Sequence, residues 1–167
     1  MGLFSFIKDA GEKLFGTGEA KAAQDAATTN PTADNVAAAN EKAAAAIKHY
    51  ITTLNLAPAD LGVSFDGSSG VVTVSGTAVD QASKERILLA AGNVQGVGEV
   101  QDNMSVSSPE PEAVFYTVKR GDTLSAIAKT QYGNANKYMA IFEANKPMLS
   151  HPDKIYPGQV LRIPPQA

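Results

Sequence analysis

The chain has no cysteine, no tryptophan and only two histidines in 167 residues. Without cysteine there is no disulfide framework, no thiolate zinc site, no iron–sulfur cluster and no thiol nucleophile, so a site must be built from oxygen and imidazole groups. The histidines do not extend that chemistry. His49 lies late in an Ala-rich helical stretch with no second ligand at i+4, and His151 lies in a polar loop beside Pro152 and Asp153, so neither completes a zinc or triad constellation. Gly92, Gly96 and Gly98 follow a helix and precede a strand, the reverse of the order that dinucleotide binding needs. Asp66, Asp80 and Asp102 are scattered and suit turns, caps or solvated strand ends better than an EF-hand or a paired acid and base. The reading is a binding protein and not an enzyme.

Long apolar runs are missing too. No stretch approaches the roughly 20 residues of a membrane span, and Phe6 stands where a myristoylation motif requires Ser or Thr. Lys8 and Asp9 interrupt the apolar run where a secretory signal would continue. The expectation is a monomeric cytoplasmic protein with no integral membrane association. Up to Val114 there are 7 basic and 14 acidic side chains, whereas Phe115 to Ala167 carries 7 basic and 3 acidic. Two oppositely charged parts are joined, yet the basic residues of the second form neither a run nor an aromatic-interleaved platform, which argues against nucleic acid.

Leu3, Phe6, Ile7, Ala10 and Leu14 recur at helical spacing, so residues 1–16 read as an amphipathic helix, docked on the protein's own core or on a membrane surface. Residues 17–33 are an Ala-rich linker. Within 34–107, Asp34 or Asn35 caps a helix ending near Leu54, and Val63 and Phe65 face Val71 to Ser75 across a turn. Asp80 caps a second helix that Gly92 ends, and Val100, Met104 and Val106 alternate in a last strand. This α-β-β-α-β order predicts a mixed three-stranded sheet with both helices on one face. A Pro-rich linker, 108–114, leads to 115–167, where strands near Tyr116 and Val160 enclose two helices in a small β-α-α-β unit. The fold class is α+β.

Tyr-Thr-Val-Lys-Arg-Gly-Asp-Thr-Leu-Ser-Ala-Ile-Ala, continued by Ile-Tyr-Pro-Gly-Gln-Val-Leu-Arg-Ile-Pro, resembles the LysM domain over Phe115 to Pro164. Val-Thr-Val-Ser-Gly-Thr-Ala and Gly-Asn-Val-Gln-Gly-Val-Gly-Glu-Val resemble a BON domain. In this order, after an opening Met-Gly-Leu-Phe, they resemble the small cytoplasmic potassium-binding proteins of bacteria. The LysM resemblance implies binding of N-acetylglucosamine polymers such as peptidoglycan, or of a protein partner. Gly121, Asp122, Thr123 and Leu124 would face Pro147, Met148, Leu149 and Ile155, with Leu124 and Met148 on the acetamido methyls. The plainer alternative makes Asp122 a helix cap and the apolar residues core. The BON resemblance implies phospholipid or protein contact, for which the sequence shows no basic stripe.

Potassium is large and weakly hydrated, and a protein selects it with several neutral oxygens, usually backbone carbonyls, rather than with a tight carboxylate cage. Helix C-termini leave carbonyls unpaired at the negative end of the dipole, and glycines let neighbouring carbonyls converge. Gly92 to Val97 combines both features, and the segment around Ile7 to Ala10 would add carbonyls over it, where the resemblance also implies the site. The expected ligands are the backbone carbonyls of Ile7, Ala10, Gly92, Val94 and Val97, with potassium as the bound ion. A helix stop with a tight turn and no ion is the alternative reading of the same glycines.

Overall fold

The computed structural model describes residues 2–5, 22, 32–94 and 96–166. Helix α1 (Ala33–Thr53) starts two or three residues earlier than Asp34 or Asn35 would start it, because Thr32 is the cap: its side chain accepts from the Asn35 amide. Asp34 then falls in the first turn, where its charge favours the positive end of the helix dipole. Ala43, Ile47 and Ile51 recur every four residues and are buried on the sheet side. Each fully buried Ile contributes about 1.5–3 kcal/mol by leaving water.

Strands β2 (Gly62–Asp66) and β3 (Val71–Asp80) form the antiparallel hairpin, with Val63 opposite Val74 and Phe65 opposite Val72. Asp66 closes its turn by accepting from the Ser68 amide and from the hydroxyls of Ser68 and Ser69. The chain passes from β3 into α2 (Gln81–Gly92) through Asp80, whose carboxylate accepts from the Ser83 amide at 2.7 Å. It returns as β4 (Glu99–Ser108), parallel to β3. Helices α1 and α2 pack on this sheet, α1 mainly on β2 and α2 on β3 and β4. The expected mixed arrangement of three strands is therefore present.

A fourth strand, β1 (Gly2–Ser5), extends it, in the order β1-β4-β3-β2. Gly2–Ser5, which helical spacing assigned to an amphipathic helix, is strand β1, antiparallel to β4 with Ser5 opposite Glu99 and Gly2 opposite Asp102. Without it the outer edge of β4 would present unpaired amides and carbonyls, and a short N-terminal segment that supplies their partners gains more than an isolated turn of helix would. The rest of that predicted helix, and most of the linker 17–33, lie outside the described residues.

The C-terminal unit comprises β5 (Val114–Thr117), α3 (Leu124–Tyr132), a 3-10 turn (Ala135–Lys137), α4 (Tyr138–Ala144) and β6 (Val160–Ile163). β5 and β6 pair antiparallel, and Leu124, Ile127, Ile141, Leu149 and Leu161 form the core beneath them. Gly133 ends α3 at φ 72°, a left-handed conformation that favours glycine. The two units share a junction: Met148 and Val160 join the N-terminal core, with Phe115 packed against it. This explains why α2 is buried over so much of its surface, since one side meets the sheet and another meets β6.

Candidate functional site

The loop after α2 is built from the helix end itself. The Asn93 amide donates to the Leu89 carbonyl, the Val94 amide to Ala91, and the Val97 amide to Val94, while Gly96 turns the chain at φ 97°. Gly92, Asn93, Val94, Gly96 and Val97 are all buried. The Gly98 and Glu99 amides both donate to the Gly70 carbonyl, which fixes the loop's exit to the β2–β3 turn. Gly92, Val94 and Val97 are thus gathered within one tight loop at the negative end of the α2 dipole. A carbonyl has two lone pairs, so Val94, which accepts from Val97, retains acceptor capacity. Among the described residues there is no group of three or more His, Asp or Glu able to hold a metal. The oxygens the loop offers are neutral. Ile7 and Ala10 lie outside the described residues.

Asn93, which sequence reasoning passed over, is the polar centre of this loop. It is buried, and its side-chain amide donates to the Val160 carbonyl and accepts from the Val160 amide, each at 3.0 Å. A signal was available: an amide side chain directly after the glycine that ends an apolar helix suits backbone capping better than solvent. Nearer the start of α2, Glu85 is 1% exposed and binds Arg162 Nε at 2.7 Å, with Gln81 and the Ala113 amide each donating to its other oxygen at 3.0 Å. Arg86 reaches the Ala144 and Glu143 carbonyls. The helix that ends in the loop is therefore tied along its length to the C-terminal unit.

The residues expected to contact a glycan divide into two groups. Thr123 and Leu124 line a groove of about 390 Å³ with Ser125, Tyr138, His151, Pro152 and Asp153. Gly121 and Pro147 are exposed and Ile155 is half-buried. Met148 and Leu149 turn inward, Met148 into the junction and Leu149 into the C-terminal core, so Met148 is unavailable to acetamido methyls. Asp122 is not the helix cap: Thr123 caps α3, accepting from Ala126 at 3.1 Å. Asp122 instead accepts from the Lys119 amide and the Tyr116 hydroxyl, which lowers its pKa and raises that of Tyr116. Asp102, expected at a solvated strand end, is buried mid-strand and pairs with Lys84 at 2.8 Å. Among the described residues no helix is long and apolar enough to cross a membrane.

Comparison with known proteins finds a BON domain over residues 39–108 and a LysM domain over 116–164. The chain is 47% identical over 164 residues to the potassium binding protein Kbp of Escherichia coli O6:H1 (strain CFT073), covering 98% of this chain and 99% of that protein. It is also 40% identical over 98 residues to a protein of Deinococcus radiodurans, covering 59% of this chain and 31% of that longer protein.

Proposed function

This chain belongs to the BON–LysM family that includes the potassium binding protein Kbp, and from that premise we propose that it binds potassium through backbone carbonyls of the α2–β4 loop and of the N-terminal segment, as a binding protein and not an enzyme. The observation that carries the reading is the register of β1. Ser5 sits opposite Glu99, two residues beyond Val97, so the chain leaves the sheet beside the loop that gathers Gly92, Val94 and Val97. Strand β1 itself therefore ends beside that loop. A set of neutral oxygens at a helix C-terminus suits a weakly hydrated monovalent cation better than calcium or magnesium. Binding across two segments favours the compact arrangement through differential affinity. Calorimetry with potassium, sodium and magnesium chlorides on ion-free protein tests this. Heat with potassium well below the concentration at which sodium gives any is expected, and silence with all three overturns it.

A second reading is favoured by the groove between the start of α3 and the His151–Asp153 loop. Its volume and polar rim suit an N-acetylated sugar, although Leu124, 2% exposed, belongs chiefly to the core beneath it. Retention of the full chain on purified peptidoglycan at low salt is the expected result, and absence of retention removes it.

A further inference from the structure

Among the described residues, the outer edge of β6 is completed by side chains and not by a third strand. Val160 and Arg162 are two apart, so their amides and carbonyls point to the same edge of an extended strand. Arg162 gives its amide to Asn145 Oδ1 at 2.7 Å, and its carbonyl accepts from Asn145 Nδ2 at 2.8 Å. Val160 makes the same two bonds with Asn93, each at 3.0 Å. Asn145 belongs to the LysM domain itself, whereas Asn93 reaches across from the BON domain, from the position between the Gly92 and Val94 carbonyls. A primary amide sets an N–H donor beside a carbonyl acceptor, as a peptide group does, and here Asn93 uses one of each on Val160 in a buried setting where neither bond is readily replaced by water.

We propose that Asn93 is a positioning residue for the potassium loop: anchored at two points on β6, it fixes the peptide groups on either side of it and so makes ion occupancy and LysM docking depend on each other. This rests on the potassium reading above. By linkage, whatever Val160 contributes to holding the loop in its ion-competent form, the ion returns to the Asn93–Val160 contact.

The test uses the full chain. Potassium chloride is titrated calorimetrically into the wild type, Asn93→Ala and Glu85→Gln, and amide hydrogen exchange at Val160 in the wild type is followed with and without potassium. The expected result is at least a tenfold weaker potassium affinity in Asn93→Ala, less than a threefold change in Glu85→Gln, and slower Val160 exchange when potassium is bound. Equal affinities of wild type and Asn93→Ala overturn the coupling while leaving the potassium reading intact. Equal losses in both variants overturn the positioning role of Asn93, since loosening of the interface would then suffice. Should Asn93→Ala fail to fold, the wild-type exchange decides: Val160 protection unchanged by bound potassium sinks the proposal. A wild type that gives no heat with potassium overturns the reading and the coupling together.

Discussion

Arg162 and Glu85 place a full charge pair inside the junction, and such a pair is worth most in the difference between breaking it and replacing it. Arg162→Met leaves Glu85 buried with only Gln81 and the Ala113 amide as partners. The expected loss is about 3 kcal/mol in urea unfolding, while the double change to Met at both positions recovers most of it, because two desolvated charges are removed together. Asp102 teaches the complementary lesson about legibility. Val100 and Met104 were read as the inward face of β4, and the period of two that made them so also assigns Asp102 to that face. Its charge suggested solvent, but Lys84 on α2 supplies the partner. A partner on another element is what single positions do not reveal: for Asn93 the sequence signals a backbone cap but not that the backbone is that of Val160 on β6.

At the scale of elements, what was legible was local. The hairpin, the Asp80 cap and the two helices of the LysM unit follow from residues within a few positions of each other, and they stand where the patterns put them. Strand β1 was illegible because its partners are far away in the chain, and Leu3, Phe6 and Ile7 fit a helical face in isolation. Gly76, within β3, adopts φ +127°, and a Cβ there would meet the Asp60 carbonyl at 3.1 Å and the Leu61 Cα at 3.2 Å. Both neighbours are backbone, so Gly76→Ala is expected to cost more than about 1 kcal/mol in denaturant unfolding, beyond the usual left-handed penalty. Asp80 and Asp66 have lowered pKa values, the first chiefly through the bonds from Ser83 and the second through those from Ser68 and Ser69. A folded-state value below the unfolded value of about 3.9 gives stability that is present above that pH and lost as pH falls through the folded value. Melting temperature is therefore expected to drop below about pH 4. Asp80→Asn, which keeps a capping oxygen but cannot ionise, should flatten that slope with little change at neutral pH.

For the whole molecule, the junction sets the response to alkali. Tyr50 on α1 is pushed up to about pKa 12 by burial, and Tyr156 in the LysM unit is raised by burial and then by the proximity of Tyr50. Because the folded values exceed the unfolded value of about 10, this contribution is complete below that pH and is lost as pH rises through the folded values. In an alkaline titration followed by phenolate absorbance, the last of the five tyrosines should ionise together with loss of native fold. A smooth titration near pH 10 with the fold retained would show that the junction does not shelter them. The pairing of Gly2–Ser5 with Glu99–Asp102 also dictates an order of events. β1 has no edge to join until β4, nearly a hundred residues further along the chain, is in place. Closing so long a loop from the unfolded chain costs about 4 kcal/mol in entropy, more than four strand residues return. β1 must therefore wait for α1, β2, β3 and α2 to bring β4 into place, and docks on a finished edge. β1 is therefore the last strand of this sheet to join, so in refolding the protection of its amides should lag behind that of β3 and β4.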